Sequence, residues 1–287
     1  MLLSLIAVVC TNAFADDVTV DGAKAPGTKF EKPETHLSAE FGGAWTNGNT
    51  AAWTLNGSLA GSHRVKRSEV SLGLGTNVGQ SIVDADANAF LDETERAGGY
   101  VPTAQKYTGA LRYDYYVGDN DSLYLANQDL VDHFAGFALR AEFELGYKRL
   151  LVDSENLDAV GEIGVAVANE RYYAPEGTEP APPATLMGAK VKLGIDYKFN
   201  ENVSLSEGIE VFDPVYNFAN GEVAVQDLLL TNSIGITAKL SDKFSLKVSD
   251  AITFDNVPAA VTLPDGSAAE RRKLDNTTMA TFVATLL

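Results

Sequence analysis

Val70-Ser71-Leu72-Gly73-Leu74-Gly75-Thr76-Asn77-Val78-Gly79 reads in steps of two. Val70, Leu72, Leu74 and Val78 fall on one side of the beat, and Ser71, Gly73, Gly75, Asn77 and Gly79 fall on the other. A period of two is that of a pleated strand, whose successive side chains leave on opposite faces. In a soluble sandwich the apolar side would cover a core, with strands of about 5–6 residues. Here the beat continues for lengths that can cross a bilayer at a tilt, so the apolar side is expected to meet lipid and the polar side water.

The same alternation recurs to the C-terminus. Strands are expected over 36–46, 51–63, 69–83, 106–117, 122–132, 139–152, 157–172, 185–199, 203–212, 226–240, 244–255 and 273–287. About twelve strands, an even number, is what a bacterial outer-membrane barrel requires. The links alternate between tight ones, such as Gly118-Asp119-Asn120 and Ser241-Asp242-Lys243, and generally longer ones, such as Asp84 to Gln105 and Asn256 to Arg272. The first link on the longer side, Asn47-Gly48-Asn49, is short and has the composition of a hairpin turn. The fold expected is all-β, one antiparallel up-and-down transmembrane barrel, with short turns and both termini on the periplasmic side.

Charge supports that orientation of the faces. The sets Tyr107, Leu111, Tyr113, Tyr115 and Val191, Leu193, Ile195, Tyr197, Phe199 contain no charged residue. Between such positions lie Arg112, Asp114, Arg140, Glu142, Glu144, Lys148, Glu162, Lys190, Lys192 and Asp196, the candidate charges lining the lumen. A cation on the lipid face near the midplane costs about 2–4 kcal/mol, which explains why that face is spared. Acidic residues on the strand from Leu157 are placed to pair with Lys190 and Lys192 on the next strand. Trp45, Tyr107, Tyr147, Tyr172 and Phe244 lie near strand ends, where interfacial aromatic girdles form. Glu207, Asn232 and Asp250 break the pattern by sharing the parity of lipid-facing positions. They mark a subunit contact, which makes a homo-oligomer possible, a bulge that reverses parity locally, or positions nearer the membrane interface.

Residues 1–15 read as a signal peptide, with an apolar run from Leu2 to Val9 and Ala13-Phe14-Ala15 before the cut, although no basic start precedes it. Cys10 raises a lipoprotein reading, against which Val9 stands where a small residue is needed. Residues 16–34 then form a periplasmic extension and 35–287 the barrel. The 287-residue chain carries 39 acidic against 22 basic side chains, a net charge of −17, which argues against a nucleic-acid partner. Asp84, Asp86, Asp92 and Glu93 crowd one outer connection, either as a solvated loop or as ligands for a divalent cation, without calcium-loop spacing. The chain has only three histidines. One of them, His133, lies near Asp129, Asp132 and, by height, Ser81, and is the best start for a lipid hydrolase, but no motif sets a nucleophile beside it. No cofactor is expected.

Several segments resemble a family of salt-induced outer-membrane proteins, a group of unknown function. Gly43-Ala44-Trp45-Thr46-Asn47-Gly48-Asn49-Thr50 is similar to its opening hairpin, and Asp132-His133-Phe134-Ala135-Gly136-Phe137 followed by Gly146-Tyr147-Lys148-Arg149-Leu150 to its central one. Tyr197-Lys198-Phe199-Asn200-Glu201-Asn202-Val203-Ser204 resembles its tight periplasmic turn, and Asp275-Asn276-Thr277-Thr278 to Leu287 its last strand. The resemblance implies a barrel in a Gram-negative outer membrane, without functional residues to transfer. Its partners would be outer-membrane lipids and the barrel-insertion machinery; the latter commonly reads a terminal aromatic residue, where this chain ends in Leu287. Three functions remain open at this point: a narrow pore for small solutes or ions, a non-conducting structural or binding barrel, and a membrane-embedded lipid hydrolase.

Overall fold

The computed structural model describes residues 33–46, 51–82, 93–173, 180–218, 228–257, 261–262, 268–269 and 273–286. The expected signal peptide, the Asn47 hairpin turn and the acidic residues Asp84, Asp86 and Asp92 lie outside them. Alternation produces long strands: β1 (Glu34–Thr46), β2 (Ala52–Val65), β3 (Ser68–Ser81), β4 (Val101–Tyr116), β5 (Asp121–Asp132) and β6 (Phe137–Asp153). They are followed by β7 (Leu157–Tyr172), β8 (Ala184–Asn200), β9 (Val203–Asn217), β10 (Leu229–Lys239) and β11 (Phe244–Asp255). The last connection holds a two-residue ladder of β12 (Val261–Thr262) with β13 (Ala268–Ala269), and β14 (Leu274–Thr285) ends the chain. A single helical turn, α1 (Glu93–Ala97), lies in the connection before β4.

Twelve of these strands form one closed barrel, each antiparallel to its neighbours. β1 closes against β14, with Ser38 opposite Thr285 and Gly42 opposite Thr281. Closure leaves no strand edge, which a sheet surrounded by hydrocarbon requires because an unpaired backbone group has no water to bond.

The faces follow the beat of the sequence. Val70, Leu72 and Leu74 are exposed on the outside, and Ser71 and Asn77 are buried inside. Two expected strands, 157–172 and 244–255, coincide with the observed ones. β9 outruns its expected end at Phe212 and continues through Pro214 to Asn217. Proline lacks the donor a ladder needs, and here it stands opposite Gly188 at a register shift, where pairing is already interrupted. Other shifts lie near strand ends, at Gly79/Gln80, Leu130/Asp132 and Phe137/Leu139. The last of them turns Phe137 inward. Tyr172, expected in the girdle, also faces the interior, where its hydroxyl donates to Glu170 at 2.7 Å.

Candidate functional site in the lumen

Alternate positions on strands about 3.3 Å per residue apart put i and i+2 side by side on one face. Arg112 and Asp114 use this spacing on β4: the guanidinium donates to the Asp114 carboxylate through Nε at 2.6 Å and Nη2 at 2.9 Å. Its remaining end reaches Glu162 on β7 at 2.9 Å. Ser122 Oγ also donates to Asp114, at 3.1 Å. The guanidinium plane lies 4.0 Å over the ring of Tyr124, and the Tyr124 hydroxyl donates to Glu144.

That ring needs room. It lies across Gly146 of β6, where an added Cβ would collide with it, and approaches Gly164 of β7, where a Cβ would stand 3.1 Å from the hydroxyl. Two glycines on adjacent strands thus form the seat of a large inward tyrosine.

Further along the lumen two lysines of β8 hold the acids together. Lys190, about 1% exposed, lies 2.5 Å from Glu142, 3.7 Å from Glu144 and 2.6 Å from Glu210. Lys192 lies 2.9 Å from Glu144 and 3.4 Å from Glu210. Arg140 extends the network, meeting Glu142 at 3.4 Å and Glu170 at 3.5 Å. Nearer the short turns, Tyr116 donates to Glu69 at 2.5 Å and carries Arg64 stacked 3.9 Å above its ring. Low dielectric strengthens each of these contacts and raises the cost of removing one partner.

The inward charges Arg112, Asp114, Glu142, Glu144, Glu162, Lys190 and Lys192 are buried, and Arg140, Lys148 and Asp196 are half-buried on the same face. Lys148 stands opposite Glu162, and Asp196 opposite Asp158, in register. The pairing differs from expectation in one respect. Glu162 stands opposite Lys192 in register, yet its carboxylate turns to Arg112 of β4, and the two lysines take their acids from β6 and β9. Curvature explains this: inside a closed wall, side chains converge, and non-adjacent strands come within reach. Glu210 and Tyr124 escaped the sequence reading, although inward parity marked both.

The opposite wall is made of smaller groups. Inward positions on β9, β10 and β11 include Ser206, Ser233, Gly235 and Ser249, and on β2 Thr54, Ser58 and Ser62. All but the buried Gly235 keep partial access to solvent on the inner face. Lys247 and Glu40, 3.4 Å apart, bridge β11 and β1 across β14, with Thr281 donating to Glu40 at 3.4 Å.

The outer wall carries the expected exception. No register shift occurs between β9, β10, β11 and β14, so Glu207, Asn232 and Asp250 face outward without a bulge. Asn232 donates to Glu207 at 3.5 Å and to the Gly208 carbonyl at 3.4 Å. Asp250 accepts from Asn276 at 3.0 Å and Thr278 at 2.6 Å, two further outward polar groups that sequence reading passed over.

His133 and His63 are engaged elsewhere. His133 bonds Gln105 at 3.2 Å and stacks on Tyr173 at 4.4 Å, while Asp132 accepts the backbone N–H groups of Phe134 and Ala135 and so holds the turn. His63 bonds Thr35 at 2.8 Å. Among the described residues no cluster of histidine, cysteine and carboxylate groups has the spacing to hold a metal ion.

A family model described as a protein of unknown function, DUF481, matches residues 39–284. No curated protein matches the chain. Solved structures similar to it include a NanC porin, at 9% identity and TM-score 0.48 over 88% of this chain and 100% of that one. An outer membrane channel from Pseudomonas putida F1 is 13% identical, with TM-score 0.44 over 93% of this chain and 100% of that one.

Proposed function

The chain belongs to the DUF481 family of proteins of unknown function, and we propose that it is a narrow diffusion channel in a Gram-negative outer membrane, passing small polar solutes or ions. The observation that carries this reading is the asymmetry of the lumen. One wall is filled by paired charges, and the facing wall carries smaller groups, of which Thr54, Ser58, Ser62, Ser206, Ser233 and Ser249 keep partial access to solvent while Asn56, Ala251, Thr277, Met279 and Thr281 are buried. A twelve-stranded cylinder is about 25 Å across its backbone, so large side chains on one side and small ones on the other leave an eccentric polar path.

Single-channel recording on refolded protein in planar bilayers tests it. The native chain is expected to conduct weakly, and Ser206→Trp, which fills the small-residue wall, to reduce the current several-fold. A silent bilayer containing correctly folded native protein would leave a non-conducting structural or binding barrel as the reading. The lipid-hydrolase reading has less support, because His133 bonds an amide oxygen rather than a carboxylate or hydroxyl.

A second reading concerns the outer wall. Glu207, Asn232, Asp250, Asn276 and Thr278 put polar groups on the lipid-facing side of four adjacent strands, where hydrocarbon solvates them poorly. We infer that this face meets a second copy of the chain. The detergent-solubilised mass of the native chain, compared with that of Asp250→Leu, decides: a native dimer that the substitution dissociates is expected, and two identical monomers would end the idea.

A further inference from the structure

The closing seam of the barrel is joined over only part of its height. No strand is left as an edge along its whole length, but β1 and β14 pair over Ser38–Gly42 and Thr281–Thr285 alone, five residue pairs, whereas β9 and β10, the next shortest ladder of the barrel, share ten. Toward the turns the seam is continued by the Leu286 N–H, which donates to the Leu37 carbonyl at 2.8 Å. Toward the loops it is not continued: Gly43–Thr46 stay paired with β2, and Met279 and Ala280 with β11, each held from one side. Four residues at about 3.3 Å each make a parting about 13 Å long.

Gly42 marks the point where the two strands separate. A Cβ there would stand 2.7 Å from the Ala280 carbonyl oxygen, so glycine lets β1 lie against β14 at the last pair, and at Gly43 the three nearest atoms already belong to Thr54 and Leu55 of β2. Beyond that point both faces of β1 are open. Gly43 and Trp45 on the outside and Ala44 on the inside are all exposed, and Trp45, at 74%, is the most exposed large apolar side chain among the described residues. On the opposite bank Thr278 and Ala280 are exposed outward, while Met279 is buried on the lumen side. The parting is therefore filled from within by side chains, without a backbone ladder to seal it.

Strand edges that face hydrocarbon are costly, because their N–H and C=O groups find no water there. A passage that water enters from the lumen removes that cost. The outer flank is in keeping with a wet rim: next to the parting on β14, Thr278 and Asn276 donate to Asp250 at 2.6 and 3.0 Å. The banks themselves, Gly43, Ala44 and Trp45 on one side and Met279 and Ala280 on the other, carry no charged group. Methionine is also the side chain best suited to yield, being unbranched and rich in accessible rotamers.

We propose that the loop half of the β1–β14 seam is a lateral gate, through which small, uncharged, largely apolar molecules pass between the lumen and the leaflet on the loop side, with Met279 as the side chain that moves aside. A charged solute is disfavoured, because neither bank offers it a counter-charge and the route ends among acyl chains. The gate rests on the placement of the barrel in a membrane and needs the lumen to open to water at the loop end. It does not require conduction through to the other side.

Photolabelling of the full chain, refolded into phosphatidylcholine vesicles, tests the proposal with trifluoromethyl-phenyldiazirine, an uncharged apolar probe that dissolves in the bilayer. Ala44 and Met279, both inward, are expected to be labelled at least fivefold more than inward Ser206, which lies in the same row as Met279 on the joined wall. Trp45→Cys with Thr278→Cys, in a Cys10→Ser chain, puts two thiols where the ladder would run if it continued. Their oxidation is expected to cut the inward labelling at least fivefold and reduction to restore it, with folding checked by heat-modifiable mobility. Inward labelling equal to that of Ser206, or unchanged on oxidation, would overturn the proposal. Because a second copy seated on Thr278 would cover the seam, Asp250→Leu is labelled beside the native chain: inward labelling in either sustains the gate, and in neither ends it. A conducting barrel without inward labelling loses the gate and keeps the channel; a silent barrel with it does the reverse.

Discussion

The β4–β9 side of the barrel and the side formed by β10, β11, β14, β1 and β2 share one backbone geometry and build unlike interiors. On the first, Arg112, Tyr124, Glu142, Glu144, Lys190 and Lys192 are packed and paired. On the second, Thr54, Ser58, Ser233, Gly235 and Ser249 face the lumen beside Asn56, Met279 and the longer Lys247–Glu40 ion pair. The strands differ as well: β6 and β8 each have 17 residues, whereas β10 has 11. Strand number sets the width of a barrel, but side-chain volume decides where inside it water can pass.

If the packed side carries the stability, substitutions of equal chemistry must differ in effect between the two. Lys190→Met would leave Glu142, Glu144 and Glu210 clustered without their shared cation, and the expected loss is about 3–5 kcal/mol. Lys247→Met, which removes a half-buried contact, is expected to cost about 1 kcal/mol or less. Urea unfolding of the refolded barrels measures both, and equal midpoints would abolish the distinction. A smaller contrast comes from glycine. Gly146→Ala drives a methyl group into the Tyr124 ring, at about 1–3 kcal/mol. At Gly235, across the lumen, a Cβ would meet the ends of Lys247 and Ser206 at 3.3 Å, both able to move, so the change is expected to fall within about 0.5 kcal/mol of neutral.

The sequence conveyed the wall better than its contents. Parity alone located β7 and β11 residue for residue and told the lipid face from the lumen, because a strand surrounded by hydrocarbon cannot place a charge at random. It did not reveal partners: Lys192 has carboxylates in register on both sides, Glu162 and Glu210, and only closure of the cylinder selects Glu210 and Glu144. Tyr124 was overlooked because tyrosine in a barrel suggests an interfacial girdle, whereas the glycines that seat it lie on the two strands beyond its own. The inward turn of Phe137 and the continuation of β9 beyond Phe212 were hidden for another reason: each accompanies a register shift, which leaves no periodic trace.

The unequal strands also shape the surrounding membrane. At about 3.3 Å per residue and a tilt near 45°, 17 residues rise about 40 Å and 11 residues about 25 Å. The shorter flank is also the one whose greasy belt is cut by Asn232 and Asp250. On β6 the outward apolar run stops at Tyr147, before the exposed Arg149, so the extra length stands beyond the acyl chains. A thicker bilayer would therefore meet this polar rim before it met more apolar wall.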